Sequence, residues 1–382
     1  MLFEQDADKY FTPASNTKIL TLYAGMRLLG DSIPALKYII QGDSLIFWGT
    51  GDPSFLNPSL PENDRVILFL KNRKEKLFFS PHNFMDKRFG AGWAWDDYHN
   101  GYQSEKSPFP IHGNIVSFKS QPDGRKIEIY PTPFKNLVQT NINLEGDFAK
   151  IKRKETENIF EFNQQPVSRK GFKSNIPFMY SNEIATELLE WILQKPVSLL
   201  ITPTLPPQES ITLYSLPSDV VFKKMMQDSD NFLAEQILLM CGSTTLNKLN
   251  TRMAIDYAIK NLLSDSPDKP IWRDGSGLSR YNLFTPRTMT YLLNKIYTST
   301  SEERIFEIFP TGKKSGTIKY WYAPYVHAKT GTLSNKHCLS GYIETKKGKT
   351  LIFSFMHNNY ITSSSPLKKE MEKVLHFIHN KY

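Results

Sequence analysis

The sequence predicts an α+β protein in which helices surround an antiparallel sheet and a β-rich region is inserted after the first helix. Three observations predict it. Apolar residues recur at helical spacing near the start of the chain and again from Asp219 onward. Between about Asp43 and Pro207 the texture changes to short alternating or apolar runs punctuated by Pro, Gly and Asn. Three strand-like runs then precede a closing helix. At 382 residues the chain is too long for one ordinary core. The expected division is a discontinuous domain of residues 1–42 plus 208–382 and a β-rich inserted region of residues 43–207.

In chain order, Thr12 is a suitable N-cap, Pro13 fits the first helical position and Gly30 suits the exit. Ile19, Leu20, Tyr23, Met26 and Leu29 give that helix a buried side. Within the insert, strands are expected at Leu45 to Trp48, Lys76 to Phe79, Ile127 to Tyr130 and Leu137 to Ile142, with a helix from Asn182 to Gln194. Ile201 to Pro207 and Leu213 to Pro217 read as a returning linker. Helices follow around Val220 to Met226, from Phe232 to Met240, and from Thr285-Pro286 through Ile296. Strands are expected at Tyr325 to Lys329, Leu339 to Glu344 and Thr350 to Met356, and Ser365-Pro366 caps the last helix.

Composition narrows the function classes. An aromatic share of 13% with 40% hydrophobic residues is a core-forming composition and excludes disorder. No run of 18 apolar residues exists, so no transmembrane segment is expected, and the polar start carries no signal peptide. The net charge of +9 comes from scattered lysines and arginines without interleaved aromatics, a solvated cationic surface rather than a nucleic-acid site. Cys241 and Cys338 cannot build a disulfide framework or a zinc site; they read as two buried thiols, with one bridge left open. The histidines show no metal-ligand spacing, so no metal is expected.

Three short words carry the chemistry: Ser15-Asn16-Thr17-Lys18, Ser229-Asp230-Asn231 and Lys329-Thr330-Gly331. Each has an ordinary reading alone: a helix-start serine with a solvated lysine, a helix-capping loop, and a strand exit. SxxK also occurs at Ser266 and Ser365, and a near-match to the third word at Lys314-Ser315-Gly316, so single words mislead. The ordered set SxxK, SDN, KTG does not recur by accident and belongs to penicillin-interactive serine enzymes. Ser15 stands apart from its decoys because a helix places Lys18 one turn along on the same face, within reach of the hydroxyl. A buried lysine beside other cations loses its proton readily and serves as a base. Ser266 lies in a polar loop and Ser365 caps the last helix.

Phe11 through Lys18, Ser229 through Glu235, Asp274-Gly275-Ser276-Gly277-Leu278-Ser279-Arg280 and Ala328 through Leu333 together resemble the low-molecular-mass class C penicillin-binding proteins. These are the D-Ala-D-Ala carboxypeptidases/endopeptidases of the DacB or PBP4 type, peptidase family S13. Gly49-Thr50-Gly51-Asp52-Pro53 and Gly92-Trp93-Ala94-Trp95-Asp96-Asp97 look like landmarks of that family's insert. The resemblance covers essentially the whole chain, and the separation of 214 positions between Ser15 and Ser229 is similar to that made by the family's large insertion.

The resemblance implies a penicillin-binding/β-lactamase-like transpeptidase domain formed by the two chain ends. It implies an acyl-enzyme on Ser15, with Lys18 as base, Ser229 as proton relay, Asn231 orienting the peptide amide and Lys329 holding Ser229 and the substrate carboxylate. Thr330, Gly331 and Thr332 line the substrate, and the amides of Ser15 and Thr332 form the oxyanion hole. Partners are then peptidoglycan stem peptides and β-lactam antibiotics, no cofactor is implied, and the substrate class points to the periplasm. Arg280, Asp96 and Asp97 are expected to clamp the charged side chain of a diaminopimelate-type stem peptide. In such a family a helix and strands precede the nucleophile, whereas 14 residues do here: either the start is truncated or sheet strands are lost, and lost strands would expose a sheet edge. Two functions follow: an active penicillin-sensitive DD-carboxypeptidase/endopeptidase, favoured by the intact nucleophile, base and KTG word, or a catalytically weak peptidoglycan-binding homologue. A β-lactamase comes third, because nothing in the sequence argues for fast deacylation.

Overall fold

The computed structural model describes residues 2–122 and 126–382. Two compact units are present. The first comprises Met1–Ile33, Gly90–Trp93 and Leu216–Tyr382; the second comprises Pro34–Phe89 and Ala94–Ser215.

In the first unit the helix Thr17–Leu28 is buried on nearly every side, including Thr17, Lys18 and Thr21. It packs against the helices Ser218–Asp228 and Asn231–Leu246, closely enough that a Cβ on Gly25 would meet the Phe222 ring at 2.7 Å. Thr12 is not its cap. Ala14 adopts a left-handed φ of 48°, which interrupts the helical path, so a 3-10 turn (Ala14–Asn16) precedes the helix. The strands Val326–Leu333, Lys336–Glu344 and Thr350–Asn358 form an antiparallel meander with Thr330 opposite Leu339 and Ser340 opposite Ser354. Val326, Ala328, Leu339, Ile343 and Phe353 face Met371 and Leu375 of the closing helix, Ser364–Lys381. That helix starts at Ser364, so Ser365 lies inside its first turn rather than at its cap.

The second unit centres on a mixed five-stranded sheet in the order Val197–Leu199, Lys76–Ser80, Ser44–Gly49, Ser32–Gln41, Ile211–Pro217. Two three-stranded sheets, around Ile115–Ser120 and Phe160–Phe162, complete it. Phe47, Phe79, Phe109, Phe118, Phe134, Phe160 and Phe178 fill one continuous core, closed by Val66 and Leu70 of one helix and Leu188 and Leu189 of another. The boundaries expected at residues 42 and 207 fall inside this unit. Ser32–Gln41 pairs with Ser44–Gly49, Leu36 opposite Gly49, which draws the chain into the sheet some eight residues early. Leu213 to Pro217 is likewise an edge strand and not a linker. Both cysteines are free and buried. Among the described residues, no helix is long and apolar enough to cross a membrane.

Candidate active site

The first unit brings the three motifs to one place. Ser15 sits half-buried in the 3-10 turn, and two glycines hold that turn from outside. A Cβ on Gly331 would lie 2.3 Å from the Pro13 carbonyl and 3.0 Å from the Ser15 nitrogen; one on Gly277, at φ 85°, would lie 1.9 Å from the Ala14 carbonyl. No residue larger than glycine fits either position without moving backbone. Asn16 Nδ2 donates to the Lys329 carbonyl at 2.9 Å, which stitches the turn to the KTG strand.

Lys18, fully buried, directs Nζ to three oxygens: Ser15 Oγ at 3.0 Å, Asn231 Oδ1 at 2.6 Å and the Ser276 carbonyl at 2.6 Å. Burial lowers its pKa to about 8, opposed by the negative charges of Asp274, Asp230 and Glu235. Of the two causes expected from the sequence, burial and a neighbouring cation, burial leads. Lys329, also buried, is lowered well below the ordinary lysine value by burial and then by the charge of Lys18. A neutral lysine amine has two N–H donors and one lone pair. An amide oxygen and a backbone carbonyl only accept, so they take both donors, and the lone pair faces the Ser15 hydroxyl. The arrangement can therefore remove a proton from Ser15.

Ser229 is the left-handed C-cap of Ser218–Asp228, at φ 58°, and Asp230 N-caps the next helix by accepting from the Leu233 amide at 2.9 Å. This back-to-back capping fixes Ser229 and Asn231 on either side of Asp230. Lys329 Nζ donates to Ser229 Oγ and to the Thr330 carbonyl, both at 2.8 Å. Thr330 Oγ1 pairs with Thr317 Oγ1 at 2.8 Å, and Thr332 Oγ1 lies 2.9 Å from His337 Nδ1.

Arg280 is exposed and ends the loop that begins at Asp274. Asp96 and Asp97 lie in a 3-10 turn (Trp95–His99) of the second unit, where Asp97 accepts from Asn100 Nδ2 at 3.0 Å. The sequence singles out residues 274–280 as a motif but assigns a role only to Arg280, not to the loop that Asp274 organises. Asp274, buried, accepts from Gly277 N, Ser279 N, Asn282 Nδ2 and Trp93 Nε1, at 2.7 to 3.0 Å. The signal available was an acid followed by alternating glycines, the composition of a tight loop wound around a carboxylate.

Residues 1–381 match the profile of the D-Ala-D-Ala carboxypeptidase 3 (S13) family. The chain is 22% identical over 423 aligned residues to the D-alanyl-D-alanine carboxypeptidase DacB of Haemophilus influenzae, covering 100% of this chain and 88% of that one. Its fold is similar to the crystal structure of penicillin binding protein 4 (dacB) from Haemophilus influenzae, with a TM-score of 0.78 at 21% identity and 99% and 93% of the two chains covered. A penicillin G-acylated predatory endopeptidase from Bdellovibrio bacteriovorus, in complex with an immunity protein, is similar at a TM-score of 0.50 and 18% identity, over 99% and 90% of the chains. The fold is accordingly that of a penicillin-binding protein with a β-rich insertion.

Proposed function

Because the chain belongs to the D-Ala-D-Ala carboxypeptidase 3 (S13) family and is a hydrolase of the peptidase class, we propose that it cleaves D-alanyl-D-alanine bonds of peptidoglycan stem peptides through an acyl-enzyme on Ser15. The observation that carries this is the Lys18 amine 3.0 Å from Ser15 Oγ, with two pure acceptors placed to take its N–H groups when it is neutral.

A substrate carboxylate beside Lys329 favours the charged form of that lysine. The added positive charge then repels the proton on Lys18 and frees its lone pair. Ser15 Oγ attacks the carbonyl carbon as its proton passes to Lys18, and the amides of Ser15 and Thr332 stabilise the oxyanion. Ser229, held by Lys329, passes a proton to the leaving D-alanine amine. Asn231 orients the substrate amide, and Thr330 and Gly331 align the peptide along the KTG strand. Water releases the acyl group by the reverse route. Endopeptidase cleavage of cross-links would use the same steps, since the scissile bond is again that of a D-alanine. Penicillins acylate Ser15 and block it, as penicillin G acylates the Bdellovibrio relative. Peptidoglycan as substrate puts the working enzyme on the periplasmic side.

Fluorescent penicillin tests the reading. The wild-type chain becomes covalently labelled and Ser15→Ala does not, with its melting temperature retained; labelling of Ser15→Ala would sink the assignment. The same reading gives Arg280, at the end of the Asp274 loop, to recognition of a diaminopimelate-type side chain. Arg280→Ala lowers kcat/KM for a diaminopimelate-ended peptide by roughly ten- to a hundredfold more than for a plain acyl-D-Ala-D-Ala. Equal losses on both substrates mean that Arg280 is structural.

A further inference from the structure

We propose that Glu235 is a positioning residue for the catalytic lysine, acting through the backbone of Ser276. This deepens the serine–lysine reading and rests on it. Ser276 faces two ways: its carbonyl accepts from Lys18 Nζ at 2.6 Å, and its N–H donates to Glu235 Oε1 at 2.8 Å. Glu235 is 1% exposed and lies in the helix that begins with Asn231, the other acceptor of Lys18. One helix therefore fixes both oxygens that occupy the N–H groups of Lys18, Asn231 directly and Ser276 through Glu235.

The loop has little freedom to compensate. A Cβ on Gly275 would meet the Ala234 carbonyl at 2.5 Å, so the loop backbone rests on the helix backbone. Thr21 Oγ1 donates to the Gly275 carbonyl at 2.7 Å, and Ser276 Oγ reaches Asp274 Oδ2 at 3.3 Å. Losing the Glu235 acceptor leaves a buried N–H unmet and lets the Ser276 carbonyl tilt from Lys18. An amine that loses one directed acceptor can turn a hydrogen toward Ser15 instead of its lone pair, which is unproductive.

The carboxylate also does what a neutral acceptor cannot. The charges that bear on Lys18 are Asp274, Asp230 and Glu235, each favouring its ammonium form, and Lys329, whose buried amine lies in the same cluster. Glu235 thus steadies the ammonium that forms when Lys18 takes the Ser15 proton. Position and charge are separable by substitution: Glu235→Gln keeps an acceptor oxygen and removes the charge, whereas Glu235→Ala removes both.

The test measures acylation by fluorescent penicillin as a function of pH in the full chain. Glu235→Gln moves the acidic limb of the acylation profile to lower pH and slows the plateau about threefold, because the base is weaker but still aligned. Glu235→Ala moves the limb the same way and slows the plateau about tenfold or more, because alignment is lost as well. A limb in Glu235→Gln that coincides with wild type, or a Glu235→Ala plateau equal to wild type, overturns the inference. Melting temperatures identify a Glu235→Ala chain that fails to fold, in which case the Glu235→Gln limb decides alone. A wild-type chain that is never labelled removes the serine–lysine reading itself, whereas a labelled wild type with unaltered variants removes only the role of Glu235.

Discussion

Replacing Gly331 by alanine is the sharpest steric test of the site. The added Cβ would stand 2.3 Å from the Pro13 carbonyl oxygen, 2.8 Å from Asn16 N and 3.0 Å from Ser15 N. An ordinary carbon–oxygen contact needs roughly 3.4 Å, so about 1 Å of separation must be found, taking carbon contact distances as the guide. All three neighbours are backbone, and no side chain can swing aside. The KTG strand and the nucleophile turn must part, which stretches the Asn16–Lys329 bond and moves the Ser15 and Thr332 amides relative to each other. Overpacking of this kind costs about 1 to 3 kcal/mol of stability. A displacement near 1 Å at the reacting centre costs about a hundredfold in rate, the same order as losing an oxyanion donor. The expected outcome for Gly331→Ala is a folded chain with acylation slowed about a hundredfold, read from fluorescent penicillin time courses beside a thermal melt. Acylation within about threefold of wild type, on the same scale of effects, would refute the claim that this contact sets the geometry of the site.

The remaining predictions are simpler. Ser266→Ala and Ser365→Ala label at the wild-type rate, because the first serine bonds a nearby loop carbonyl and the second lies in the first turn of the closing helix; lost labelling in either would reassign the nucleophile. Acylation by the wild-type chain falls as the pH drops through about 8, since burial lowers Lys18 to that value and only its neutral form carries a lone pair. A flat profile across that value excludes Lys18 as base. Ser181→Ala removes the N-cap that accepts from the Ile184 amide in the second unit and costs about 1 kcal/mol. Its melt shifts down while penicillin labelling is unchanged, and an unshifted melt would show that the cap contributes nothing.

The reacting groups were legible because side-chain chemistry at short spacing leaves a mark in sequence. Ser15 and Lys18 meet at 3.0 Å over three residues, and Ser229 and Asn231 flank one capping aspartate. What failed was backbone. Thr12-Pro13 reads as a helix start, but the left-handed Ala14 that displaces the start by several residues packs its backbone against Gly277, and its neighbours pack against Gly331, both far along the chain. The Ser276 carbonyl and its Glu235 support are invisible for the same reason: a carbonyl has no letter, and 41 positions separate the pair. Ser32–Gln41 went unread because Pro34 interrupts it, although it is a ten-residue strand. The helix Thr251–Leu262 was missed because its buried stripe includes the small side chains Ala254 and Ala258 beside Ile255.

The split first unit also bears on how the chain reaches its native state. The helix Thr17–Leu28 is made early, yet the helices that bury it begin at Ser218, after the second unit has been synthesised. A short helix is marginal in water by itself. Nearly 200 residues separate this one from the first of those helices, a separation read from the two elements' bounds. The second unit, by contrast, has its phenylalanine core complete within a continuous stretch of synthesis apart from Gly90–Trp93. Long-range closure is slow and leaves sticky segments exposed. In refolding from denaturant, the second unit regains its aromatic signature before penicillin labelling returns.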